Sequence, residues 1–276
     1  MGTVQIGIPY GRKAHLGLCS VEEAEDILEA GWFHGIRAFD TAVGYGQSVA
    51  RLANWLGKKG RIASADIITK IPALDFGSRQ VIEKAGQAFA GARSITILTH
   101  GIITEDSWKC FADICSSFGF ISGQSVYSAD EVCACAKMGV KKVQAPGNVL
   151  DLNQIQVGAD HGVELDIRSI FLQGTLLADP AEAEKRVPGL LEVCEFIQQV
   201  ADSYQVPKVS LLINAVIAYS HPAMRLVIGA DNPQEISQWI AALGVDPSHG
   251  RTLIRMIREK FGDRITRAMI DPRLWK

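Results

Sequence analysis

Short runs of β-branched and apolar residues recur along this 276-residue chain, and each is followed by a longer stretch of helical period. That alternation restricts the fold more than any other feature, because a strand, a crossover helix and the next parallel strand form a unit that repeats around one sheet. The runs 4–7, 36–40, 67–70, 95–100, 120–125, 143–145, 166–171 and 226–229 read as eight strands. Segments 21–31, 49–58, 80–92, 108–118, 129–138, 190–204, 209–219 and 233–243 read as helices. The pattern predicts an α/β fold, a (β/α)8 TIM barrel, with an additional C-terminal helix after His249 on which Leu253, Met256, Ile257 and Phe261 share one face.

Local punctuation supports these limits. Ser20 is placed to cap the helix that opens at Val21, Glu23 completes a capping box, and Gly31 is predicted to take the left-handed exit. Asp130 and Glu131 favour a helix N-terminus, and Pro233 suits a first turn that needs no donor. No low-complexity stretch or linker divides the series, so residues 1–276 are expected to form a single domain.

With 47% hydrophobic and 21% charged residues the chain can bury a large core. A net charge of −2 with dispersed basic residues argues against a nucleic-acid or membrane surface and leaves a small molecule as the expected partner. Neither a cleavable leader nor a bilayer-length apolar run is visible, and a cytoplasmic protein is expected. The six cysteines lack paired CxxC spacing, and His161, His221 and His249 lack ligand spacing, so no metal is expected.

Asp40, Tyr45, Lys70 and His100 each stand at or just beyond the end of a predicted strand. In a parallel barrel such positions meet at the one rim that carries chemistry. A free phenol, with a pKa of about 10, is a weak acid near neutrality. A neighbouring ammonium stabilises its phenolate, and a carboxylate holds that ammonium in place. With a histidine to orient a carbonyl, the set suits reduction of a carbonyl or oxidation of an alcohol. Tyr10, Arg12, Lys13 and His15 fall in the first loop of the same rim, where the two cations would meet an acidic or phosphorylated substrate.

The stretch Phe39-Asp40-Thr41-Ala42-Val43-Gly44-Tyr45-Gly46-Gln47-Ser48, the strand end Ile68-Thr69-Lys70 and the strand end Leu98-Thr99-His100-Gly101 together resemble the aldo-keto reductase superfamily. The opening Gly2-Thr3-Val4-Gln5-Ile6-Gly7 is similar to a bacterial branch of it, and the likeness continues through Arg168-Ser169-Ile170-Phe171-Leu172-Gln173-Gly174 to Ile228-Gly229-Ala230. The resemblance implies an oxidoreductase with Tyr45 as general acid or base, acting with NAD or NADP on a small aldehyde, ketone or sugar-like substrate in carbohydrate metabolism. It also implies a monomer or small homo-oligomer.

By the same resemblance the dinucleotide would be held by Thr3, Ser125, Gln144, Phe171, Leu172, Gly229, Ala230, Asn232 and Glu235. Phe171, or Ile170 on the opposite strand face, would stack on the nicotinamide, with Ser125 and Gln144 on its amide. Three departures fall near the adenosine end: Asp231 where relatives carry arginine, Glu235 at the phosphate position, and Trp239 in place of asparagine. Carboxylates repel a 2′-phosphate and accept hydrogen bonds from a free ribose, so NAD is expected ahead of NADP. The same departures support an alternative, a barrel that has lost dinucleotide binding and works as a cofactor-free lyase, isomerase or binding protein. Val49 also departs, standing where a loop-supporting glutamate is common.

Overall fold

A computed structural model describes residues 1–275, with the side chain of Lys13 outside the described set. Seven parallel strands follow one another in chain order: β1 (Ala38–Asp40), β2 (Asp66–Pro72), β3 (Ser94–His100), β4 (Ile121–Ser125), β5 (Lys142–Pro146), β6 (Glu164–Arg168) and β7 (Met224–Leu226). The sheet closes through Gly2, which forms parallel bridges with Asp40 at the end of β1 and with Gly229 beyond β7. Gly2 N–H donates to Ile228 O at 2.8 Å and Thr3 N–H to Asp40 O at 2.9 Å. The fold is therefore the expected (β/α)8-type barrel, with one of its eight staves reduced to a single bridged residue.

That stave lies earlier than the sequence suggests. Residues 4–7 are not a strand: Val4–Ile6 is a 3-10 turn, because the N–H groups of Gly7 and Ile8 both fold back onto Val4 O. The expected strand 166–171 ends at Arg168, where Ser169 takes a φ of 62° that no strand accommodates. The last strand is likewise Met224–Leu226.

The Ser20–Glu23 capping box forms as predicted. Its helix runs past Gly31 to Phe33, however, because Gly31 is buried inside it, where a side chain would meet Met1 Sδ at 2.9 Å. The left-handed exit falls to Gly35, at a φ of 85°. The helices Asn153–Asp160 and Pro180–Arg186 were not expected, being too short for a periodic pattern to stand out. The C-terminal helix Pro247–Phe261 is present and packs on the helix Lys208–Ile217, burying Leu253, Ile257 and Phe261.

An ion cluster ties the later strands together. Asp166, 1% exposed, accepts from Lys142 Nζ at 3.1 Å and Arg225 Nε at 2.9 Å. All six cysteines are free, and burial pushes the thiols of Cys115 and Cys135 up to about 12. Among the described residues no cluster could hold a metal ion, and no helix is long and apolar enough to cross a membrane.

Candidate active site

β1 and β2 deliver Asp40 and Lys70 to the interior of one rim. Lys70 Nζ donates to both Asp40 oxygens at 2.7 Å and to Thr41 O at 2.9 Å, which uses all three of its protons. The pair is buried, with Lys70 only 2% exposed, so each group has the other as its partner in place of water. It meets Tyr45 through the ring face, 5.1 Å from the centroid. Lys70 thus lies against the phenol ring without a direct hydrogen bond to its hydroxyl.

The Tyr45 loop is locked from below. Tyr45 N–H donates to Ala42 O and Ser48 N–H to Tyr45 O, each at 3.0 Å, while Gly46 takes a φ of 52°. Ser48 Oγ donates to Thr3 O at 2.9 Å and lies 2.6 Å from Thr3 Oγ1 and 2.9 Å from Thr41 Oγ1. Gly7 packs so closely on this turn that a Cβ there would run into Tyr45 O and Ser48. This hydroxyl cluster supports the loop where a glutamate is absent, and Val49 joins the apolar packing instead.

His100 ends β3 at the cavity mouth. Its Nε2 lies 2.6 Å from the hydroxyl of Tyr127, a residue the sequence did not single out. Desolvation by its neighbours, followed by the charges of Arg168 and Lys70, holds the imidazole pKa below the ordinary value. Burial, then the nearby Tyr45, raises that of Tyr10. Tyr45, His100, Tyr127 and Tyr10 all line one cavity of about 530 Å³ that extends past Phe171 and Gly229 to Glu235 and Trp239. This size is ordinary for a small-molecule or cofactor site.

The residues expected to hold a dinucleotide divide in two. Thr3, Phe171, Gly229 and Glu235 line the cavity, as does Ile170. Ser125, Gln144, Leu172, Ala230 and Asn232 do not. Gln144 is buried beneath the rim, where Nε2 donates to Asp40 Oδ2 at 2.8 Å and Oε1 accepts from Ser125 Oγ at 3.3 Å, so this pair steadies the carboxylate. Leu172 and Ala230 belong to the core, and Asn232 caps the helix Pro233–Ala242 by accepting from Glu235 N–H at 3.0 Å. Glu235 itself turns back to accept from Asp231 N–H at 2.9 Å, among other contacts.

A dinucleotide still has features here that suit it. Gln5 lines the cavity with a buried Oε1 that has no hydrogen-bond partner, and Gly229 brings backbone close against that amide. Ser169, Leu172 and Gln173 all adopt positive φ in the loop beyond β6, the kind of strained backbone that concentrates at ligand sites. Gly11 of the first loop lies against Gln173, and Arg12 N–H donates to Gln173 O at 3.1 Å, fixing that loop to the first. Arg168 and Arg12 also line the cavity, whereas His15 is exposed outside it.

The closed parallel barrel is the architecture of several solved aldo-keto reductases. A glycerol dehydrogenase from Gluconobacter oxydans superposes with a TM-score of 0.73 over 97% of this chain and 93% of its own, at 14% identity. An aldo-keto reductase from Bacillus halodurans in its holo form gives 0.74 over 93% and 90%, at 16% identity. One from Klebsiella pneumoniae in complex with NADP and acetate gives 0.67 over 91% and 95%, at 15% identity. The chain shares their fold. No family's sequence model matches it, and no curated protein matches it by sequence.

Proposed function

We propose that this protein is an aldo-keto-reductase-type oxidoreductase that interconverts a carbonyl and an alcohol on a small aldehyde, ketone or sugar-like substrate, with a nicotinamide dinucleotide. The observation that carries the reading is the placement of Tyr45 and His100 in one cavity above the buried Lys70–Asp40 pair. A bound dinucleotide would supply or accept the hydride. Tyr45 gives its phenolic proton to the developing alkoxide, and the Lys70 charge beneath the ring stabilises the phenolate left behind. Asp40 holds that charge in place, and Gln144 and Ser125 hold Asp40. With Nε2 accepting from the Tyr127 hydroxyl, neutral His100 keeps its one N–H on Nδ1 to donate to the carbonyl oxygen and set its direction.

The solved relatives include a complex with NADP, which supports a nicotinamide dinucleotide without favouring NAD. We read NAD ahead of NADP from the two carboxylates, Asp231 and Glu235, at the far end of the cavity. Trp239, buried at that end, keeps the cofactor-free alternative in view.

Quenching of intrinsic fluorescence by NADH and by NADPH separates the readings. Saturable binding of either rejects the cofactor-free barrel, and binding of neither rejects the oxidoreductase. Tyr45→Phe should keep cofactor affinity and lower kcat about 10²- to 10⁴-fold on aldehydes and sugars, the usual worth of a positioned general acid. Retained turnover would assign the proton to another group.

A further inference from the structure

We propose that Arg168 receives a carboxylate of the substrate, so that the carbonyl compound handled at Tyr45 is an oxo acid or sugar acid rather than a neutral sugar. The inference rests on the oxidoreductase reading for its reaction, and on the charges around the rim for its chemistry. Lys70 is cancelled by Asp40. Arg273, at the outer edge, is cancelled by Asp271, which accepts from its Nε at 2.9 Å and from a terminal nitrogen at 2.7 Å. Among the described residues that line the cavity, Arg12 and Arg168 have no carboxylate partner, and Arg168 is the one that sits against Tyr127 beside His100.

Its hydrogen bonds go to neutral oxygens only, Val126 O at 3.0 Å and Ser169 Oγ at 3.4 Å. Two bonds leave three of the five guanidinium N–H groups for a ligand. The group is half-buried at the cavity wall, so solvent reaches the guanidinium only in part. Its plane carbon lies 4.7 Å from the Tyr127 ring centroid, and the Tyr127 hydroxyl lies 2.6 Å from His100 Nε2. One aromatic ring therefore separates the cation from the imidazole assigned to the reacting carbonyl. That spacing suits an acid group close to the carbonyl carbon.

Desolvation first, and then the Arg168 charge, lower the His100 pKa, and that same charge favours an anion in the space before the guanidinium. Arg168 and Tyr127 also line a second cavity of about 380 Å³, which leaves room beside the guanidinium for the hydroxylated remainder of a longer acid. A carboxylate fits better than a phosphate monoester. Beside His100 the guanidinium presents a planar fork, which matches a planar carboxylate bidentately more closely than a tetrahedral phosphate.

Two measurements test this. Calorimetric titration of the intact protein with oxamate, with and without NADH or NADPH, should show saturable binding that Arg168→Gln abolishes and Arg168→Lys weakens less. Steady-state kinetics should then compare glyoxylate with glycolaldehyde, glucuronate with glucose, and glyceraldehyde 3-phosphate with glyceraldehyde. The acid should be preferred over its neutral partner in kcat/KM by about 10- to 100-fold, and Arg168→Gln should erase that ratio. A wild-type protein that binds no oxamate overturns the proposal even if the variants fail to fold. So does a neutral-over-acid preference, or a preference confined to the phosphate ester. A ratio unchanged in Arg168→Gln with weakened dinucleotide binding would give the residue to the cofactor. Oxamate binding without turnover of any carbonyl would count against the oxidoreductase reading and leave the carboxylate receptor standing.

Discussion

The imidazole of His100 can donate to a carbonyl while neutral, and its surroundings favour that state. In the folded protein its pKa lies below the ordinary 6.5, chiefly through desolvation and then through Arg168 and Lys70. The unfolded chain therefore takes up this proton more readily than the folded one. The contribution to stability is complete above about pH 6.5 and is lost as pH falls through the window below it. We expect kcat/KM to fall on an acid limb centred below about pH 6.5, and His100→Gln to remove that limb while lowering the plateau. An unmoved limb in the variant would assign it to another group. That Asp40, Tyr45, Lys70 and His100 gather at one rim was legible in the sequence, because each stands at or just beyond the end of an apolar run. Tyr127 was not, since it reaches His100 only through the β3–β4 register, which pairs His100 with Ser125 two residues before it. Gln144 was expected on a nicotinamide and instead holds Asp40 below the rim, because a strand pattern does not tell which buried carboxylate an amide will meet.

Two glycines show how elements meet where no side chain fits. Gly250, on the helix Pro247–Phe261, lies directly against the backbone of Asn214 on the helix Lys208–Ile217. Gly7 lies as closely against the turn that carries Tyr45. An added methyl at either site overpacks a contact made of backbone, which costs about 1–3 kcal/mol. Gly250→Ala should therefore lower the midpoint of thermal unfolding and leave kcat of the folded enzyme near wild type, because it lies away from the rim. Gly7→Ala should lower both, because the Tyr45 turn must shift. Equal effects on kcat would show that the turn is not held by this contact. Most strands and helices were legible from apolar period and caps, with limits displaced by a few residues. The stretch at residues 4–7 misled because its apolar character serves packing beneath the turn; Ile6 is buried in a 3-10 turn, and two backbone bonds to Val4 O outcompete pairing.

Closure through Gly2 makes the barrel one continuous hydrogen-bonded ring, and the cavity spans it from Tyr45 and His100 to Glu235 and Trp239. A ligand in that cavity touches β1, the loop beyond β6 and the helix Pro233–Ala242 together, so its binding energy should stabilise the chain as a unit. A dinucleotide at a hundred times its dissociation constant adds about 2.7 kcal/mol to the folded state. For a chain of this size that corresponds to a rise of roughly 5–10 °C in melting temperature. Differential scanning calorimetry should accordingly show a single transition that moves upward with NADH or NADPH. The concentration dependence of each shift ranks the two cofactors without any assay of turnover. Tyr45→Phe should show the same shift as wild type, because the phenol is assigned to the proton and not to the dinucleotide. Two separate transitions would contradict the single-domain reading, and a transition unmoved by either cofactor would favour the cofactor-free barrel.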